Sequence, residues 1–398
     1  MPPSVPSMRP FSRFSLAAVT ATAMGVATFG QSGFGVIASD LIGEFSIERW
    51  QIGALVSASG FTGALLSPMF GRVTDRLGSV KSVTGVLLVA MAAMAMISVS
   101  PSYIVLFGGA VLTGLPNGWT NPATNALIVD NVAAGARGFI TGIKQSGVQA
   151  GAFLGGLLLP AISNLAGWRV AWASFLVFPI VALAAMWRRP EVRREPRAAG
   201  MPRAPIPTAV KWIAVYGTLT GLGVSSITTF LPLFAQEDQG WTQAQAGLLI
   251  AGVGLVGVIA RITWGSVSER WLGHGRTLRL LGAQSAVGAM ILALAASGNA
   301  PSWVLVLTAL LFGSGAVAWN AVGMLAVMDY SVPELVGRGT GLTMLGFLTG
   351  VGLGAPLMGF SVDRLGMYTP GWLVLAGLFA MSTVAAVRIH RTGTLAHI

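Results

Sequence analysis

Gly71-Arg72-Val73-Thr74-Asp75-Arg76-Leu77-Gly78-Ser79-Val80-Lys81 is the stretch whose reading decides the fold. It is flanked by apolar runs at residues 50–70 and 80–100, each about the ~20 residues a helix needs to cross the hydrocarbon core of a bilayer. A charged segment so placed reads as a tight turn joining two membrane helices. Gly71 permits close backbone approach, and Asp75 can accept from backbone N–H groups or a cation. Arg72, Arg76 and Lys81 suit the basic side of a membrane.

The composition around this turn points the same way. Of 398 residues, 54% are hydrophobic and only 9% are charged, with a mean hydropathy of +0.74. Soluble domains carry roughly 25% charged residues, so this chain cannot cover a water-exposed surface and lipid is its main solvent. The net charge of +11 does not imply nucleic acid, because the basic residues are dispersed between apolar runs rather than gathered on one face. There is no cysteine, which excludes disulfides, thiolate nucleophiles and cysteine-based metal sites. His274, His390 and His397 fall in polar segments near basic helix ends, so neither a histidine metal site nor a cofactor is expected.

Taken in order, residues 1–14 form a basic, proline-rich tail. The run at residues 15–38 is too long for a signal-peptide core and contains Gln31, so it is counted as the first span. Further runs follow at 50–70, 80–100, 103–129, 138–165 and 168–187, then at 212–235, 244–265, 278–297, 303–327, 339–362 and 371–387. The expected architecture is all-α and membrane-embedded, with six spans at 15–187, a charged, proline-broken linker at 188–211, six spans at 212–390 and a short tail at 391–398. Placing the N-terminus inside assigns nineteen Lys and Arg residues to the cytoplasm and three (Arg49, Arg169 and Arg364) to the outside, a strong positive-inside bias. Lys144 and Arg261 remain, and both lie inside apolar runs.

The two halves also repeat. Gly71–Arg76 corresponds to Gly-Ser-Val-Ser-Glu-Arg at residues 265–270, an offset of 194. Asp130 with Arg137-Gly138 parallels Asp329 with Arg338-Gly339. The Gly-x-x-x-Asp-Arg-x-Gly-x-x-Lys segment between the second and third spans, repeated in this way, closely resembles the signature of the major facilitator superfamily of secondary transporters. That resemblance covers essentially the whole chain. It implies two pseudo-symmetric six-helix bundles, alternating access, and substrate held at the repeat interface near the midplane.

Three departures qualify it. Glu269 replaces the aspartate in the second copy, which ends in an irregular Trp-Leu-Gly-His-Gly. Residues 107–114 of the fourth span contain no arginine where many members have one, so the proton-coupling role of that arginine is not carried over. Gly147, Gly151, Gly155, Gly156 and Pro160 only loosely match the antiporter glycine–proline pattern, so no transport direction is assigned.

Within this frame the embedded cations carry the chemistry. Lys144 is seven residues past Arg137, about 10 Å along a helix. It either snorkels to the interface or points into a wet cavity, as embedded cations commonly mark a pathway. Arg261 lies one turn before Gly265. It is either an interface anchor or, as its resemblance to the anion-binding arginine of the oxalate and monocarboxylate branches implies, a bidentate carboxylate partner. Neither cation recurs in the repeat, where Ser67 and Leu345 take their places. Gln149, Asn117, Asn121, Gln31 and Asn320 are further candidates for the substrate site, with helix–helix hydrogen bonding as the competing use. Trp119 and Trp319 read as packing. All thirteen acids fall in loops or at helix ends, which favours an anionic or neutral substrate over a cationic one.

The resemblance implies a gate in which Asp75 meets the start of span eleven at Arg338, while Glu269 and Arg270 act against span five near Arg137. Gly71, Arg76, Gly78 and Lys81 shape the same element. The expected protein is a monomeric inner-membrane carrier of a small organic anion, with a carboxylate the leading expectation and both termini cytoplasmic. The competing readings are an efflux pump for drugs or neutral amphiphiles, and a transporter-like sensor or scaffold. An enzyme is not expected.

Overall fold

The computed structural model describes residues 11–132, 137–187, 189, 191, 205–298, 301–331 and 335–394. All regular structure among them is helical. The first half comprises α1 (Arg13–Val36), α2 (Ala38–Phe45), α3 (Arg49–Leu77), α4 (Ser79–Ser98), α5 (Tyr103–Asn131), α6 (Arg137–Ala166), α7 (Trp168–Ser174) and α8 (Val177–Met186). The second half comprises α9 (Thr208–Glu237), α10 (Gln243–Val267), a π-helical turn (Ser268–Leu272), α11 (His274–Ala295), α12 (Ser302–Ser314), α13 (Trp319–Asp329), α14 (Val336–Leu365) and α15 (Thr369–Thr394). Most of the linker lies outside the described residues.

Each expected span has its helix, although two spans are broken. The sixth divides into α7 and α8, and the tenth into α12 and α13 around residues 315–318. Ten helical stretches among the described residues are long and apolar enough to cross a membrane by length and composition. The two expected spans outside that set are α1 and α5. Both are long, about 36 and 43 Å at the α-helical rise, but Thr, Ser, Gln and Asn side chains dilute their hydropathy. Several of those polar residues face a central cavity rather than lipid.

The opening stretch corrects the expectation of a charged loop. α3 runs unbroken through Asp75 and Arg76 to Leu77, and α4 starts at Ser79. The reversal is concentrated at Gly78, whose φ of 89° and ψ of 168° are open essentially to glycine. The linker residue Glu191 lies against this corner. Its carboxylate accepts from the backbone N–H groups of Val80 and Lys81 at 3.0 and 2.9 Å, satisfying the exposed amides of the first turn of α4. Arg189 stacks over the Phe11 ring, 4.4 Å from its centroid. The linker is thus tied to the first half before it leaves the described residues.

The repeat resolves an anomaly of the second copy. Gly71 and Gly265 are separated by 194 residues, but the helix-reversing glycines, Gly78 and Gly273, are separated by 195. The extra residue is absorbed in the π-helical turn at Ser268–Leu272, since a π-turn accommodates one more residue than an α-turn. Gly273, with φ of 74°, then restarts the chain as α11.

The halves meet along three helix pairs: α3 with α14, α6 with α10, and α1 with α9. The start of α1 and the end of α15 lie at one end, here the terminal end, and the cross-half contacts concentrate at the opposite, far end. There Arg49 bridges to Glu237 (Nε to Oε2, 2.9 Å) and to Asp363 (Nη1 to Oδ1, 3.2 Å). Asp363 also accepts from the backbone N–H of Trp50 at 2.8 Å, so α14 of one half caps α3 of the other. The Tyr368 hydroxyl donates to Glu237, and burial together with the Glu237 charge holds that phenol well above its ordinary pKa. Gln243 donates to Asp40 at 2.6 Å, and Ser57 donates to the Gly352 carbonyl.

Candidate substrate cavity

A cavity of about 340 Å³ lies between the halves. Its lining reaches Thr141, Met328 and Thr340, which stand near the terminal ends of α6, α13 and α14. The polar contacts at Arg49, Asp363 and Asp40 close the other end. The structure is therefore open toward the terminal end and shut at the far end.

Six of the seven candidate binding residues line this space: Gln31, Asn117, Asn121, Gln149, Arg261 and Asn320. Lys144 does not. It is fully buried on α6, where Nζ donates to Asn125 Oδ1 at 2.7 Å and Asn121 Oδ1 at 3.1 Å. These two asparagines are four apart on α5 and share one face. They turn their carbonyl oxygens back to the amine while standing in the cavity wall. Gln145 also donates to Asn121 Oδ1, at 3.4 Å. Lys144 is thus one layer behind the surface a solute would touch, and it is not at the lipid interface.

No carboxylate pairs with Lys144 among the described residues. A buried ammonium without a counter-ion is destabilising, and an apolar residue of similar size is commonly neutral or stabilising there. Lys144→Met is therefore expected to leave the thermal midpoint unchanged or higher while lowering transport at least tenfold. A variant that transports normally would return Lys144 to the scaffold.

Among the described residues, Arg261 is the one charged residue in the cavity lining. Its guanidinium donates to backbone carbonyls in both halves: Nη1 to Gln145 O at 3.0 Å, and Nε and Nη2 to Val317 O, each at 3.3 Å. Two local features allow this. Val317 lies in the break between α12 and α13, where interrupted helix exposes backbone to the cavity. On the other side, α10 approaches α6 so closely that a Cβ on Gly254 would lie 2.7 Å from Gln149 O and Phe153 N. That glycine brings the Gln145 carbonyl within reach.

No Asp or Glu among the described residues lines the cavity. Asn117 adds a buried amide Nδ2 without a hydrogen-bond partner. Trp319 and Trp119 differ. Trp319 lines the cavity while packing on Phe347 (ring centroids 5.5 Å apart). Trp119 stacks on Phe70 at 5.1 Å and donates to Thr74 at 3.1 Å, inside the first half.

The expected gating residues are mostly at the terminal surface. Asp75, Arg76, Lys81, Glu269, Arg270 and Arg338 are exposed, with Gly71 and Gly78 half-buried. Asp75 forms no ion pair with Arg338 among the described residues. Arg137 opens α6, but its side chain lies outside what the structure describes. His274, expected in a polar segment, is instead buried. Its Nε2 lies 2.6 Å from Asp329 Oδ2 and its Nδ1 3.3 Å from Ser268 Oγ, joining the π-helical turn to α13.

Asn125 lines the cavity too, on the asparagine face of α5, whereas sequence reading did not place Gln145, Ser67 or the methionines of the second half there. The asparagine spacing of four on α5 carried a usable signal. The methionines carried none, since in a lipid-soluble helix they look like any other apolar residue.

Two repeated halves of membrane-length helices around a central cavity define a transporter of the Major Facilitator Superfamily, and the chain belongs to that family, whose sequence profile matches residues 20–346. It is 28% identical to monocarboxylate transporter 13 of Bos taurus over 337 residues, covering 80% of this chain and 74% of that one. It is also 24% identical to multidrug resistance protein 1 of Bacillus subtilis over 248 residues, covering 60% and 63% of the two chains. Among solved structures, a D-xylose–proton symporter superposes with a TM-score of 0.79 at 15% identity, covering 94% of this chain and 97% of the other. That likeness is one of fold. The chain is accordingly a multi-pass membrane transporter of small molecules and not an enzyme.

Proposed function

We propose that this transporter carries a small organic anion, a carboxylate in the first instance, by alternating access of its two bundles, residues 15–187 and 212–390. The observation that carries this reading is the cavity's charge. Arg261 faces the space with only carbonyl partners, Lys144 stands behind Asn121 and Asn125, and no carboxylate among the described residues lines the wall. A guanidinium satisfied only by neutral oxygens retains its full charge for a ligand, and its planar fork suits a carboxylate. Similarity to a monocarboxylate transporter supports the same class.

The positive-inside count supports cytoplasmic termini, and on this reading the chain works as a monomer in the inner membrane. The cavity then opens inward. In the opposite state, Asp75 would meet Arg338 and the start of α14, and Glu269 with Arg270 would approach Arg137 on α6. A second reading, export of neutral amphiphiles, draws on the apolar part of the wall and on similarity to a multidrug resistance protein.

Proteoliposome uptake with a competitor panel separates the two. Carboxylates are expected to compete with a labelled carboxylate and their amides are not. Equal competition by amide and carboxylate would favour the second reading.

A further inference from the structure

The cavity has two chemically different walls. Of the fourteen lining residues from the first half, ten are Thr, Ser, Asn or Gln; of the seventeen from the second half, five are polar or charged. The apolar wall is built largely by α13 and α14. Met324 and Met328, four residues apart on one face of α13, stand with Met344 and Phe347 of α14. Asn320, a polar member of this wall, turns its amide to the Met344 sulfur at 3.8 Å. Arg261 sits on the seam, bonded to one carbonyl from each half.

Resting on the anion reading above, we infer that the substrate is an amphipathic monoanion bound in one orientation. Its single charged head meets Arg261 beside the amides of the first half, and its apolar body lies on the methionine wall, where Met324, Met328 and Met344 set the length accepted. Among the described residues a dianion finds no second cation exposed in the lining, because Lys144 is held behind Asn121 and Asn125, which stand between it and the cavity. A fully polar solute leaves the second wall without a partner. Unbranched thioether side chains adapt to varied apolar shapes, so this wall selects for apolar bulk and length rather than for one outline.

Titration calorimetry of the full chain in nanodiscs, with straight-chain monocarboxylates of increasing length and dicarboxylates of matching length, tests this. Transfer of one methylene out of water favours binding by about fourfold, so Kd is expected to fall about fourfold per added carbon until the cavity is filled. Dicarboxylates are expected to bind at least tenfold more weakly than monocarboxylates of equal length. Met344→Gln should flatten the series, and Met324→Ala should move its optimum to longer chains, each with a thermal midpoint showing a folded protein.

A series flat in wild type, or dicarboxylates binding as well as monocarboxylates, overturns the two-wall assignment. If Arg261→Ala still abolished binding in that case, the anion reading would stand alone. Primary amides binding as tightly as the matching carboxylates would instead overturn the anion reading and this inference with it.

Discussion

Arg261→Ala is expected to reduce carboxylate transport in proteoliposomes by about 30-fold or more, since truncating one partner of a desolvated charged pair removes roughly 2 kcal/mol or more. The carbonyls it leaves, Gln145 O and Val317 O, face the cavity and can be hydrated there. The fold should therefore survive, with a thermal midpoint close to wild type. Arg261→Lys keeps the charge but loses the planar fork, so an intermediate rate is expected, with the larger part of the defect in KM. Initial uptake rates across a concentration series measure both. Wild-type rates in both variants would remove Arg261 from the site and leave only a carrier of undefined cargo.

The second large effect is conformational. Asp363→Ala removes a cap that α14 places on α3 and one of the two carboxylates that hold Arg49. A cap is worth about 1 kcal/mol and a partly exposed ion pair up to about 1 kcal/mol. The balance should therefore shift about 5- to 30-fold toward states open at the far end. The chain has no cysteine, so a spin-label pair at Gly43→Cys and Met367→Cys, exposed positions on opposite halves of that end, reports the opening by pulsed dipolar spectroscopy. A growing long-distance population is expected in Asp363→Ala, and more so with Glu237→Ala added. An unaltered distance distribution in the double variant would show that the far end is held by helix packing and not by these charges.

Much of this architecture was legible in the chain because lipid imposes a simple rule: backbone polar groups must be satisfied within each span. Run length, linker position and the internal repeat therefore located the helices. What the pattern misjudged was where helices end. The Gly71–Lys81 segment looked like a loop because it is charged, but charge at the end of a membrane helix is compatible with helix, and only Gly78 forces the reversal. The break at residues 315–318 lies within an apolar run and is marked only by Gly313-Ser314-Gly315, a weak signal in a chain with 53 glycines.

For the site, hydropathy singled out Lys144 and Arg261 because cations are conspicuous in apolar helices. It could not tell them apart. Whether a side chain lines a cavity or sits behind it depends on rotation about the helix and on neighbours such as Asn121 and Asn125, which are distant in sequence from Lys144. Arg261 reaches the cavity through a glycine crossing and a helix break, both tertiary features.

The π-helical turn at Ser268–Leu272 has a consequence for how the duplicated halves diverged. One residue added to a regular α-helix would rotate everything downstream by about 100° about the axis, swinging the apolar faces of α11 away from α12 and α15. Swallowing the addition as a local bulge spares that rotation, so the second hairpin could lengthen without re-laying its neighbours. The odd residue is a tolerated insertion whose geometric penalty stays within a single coil of the chain.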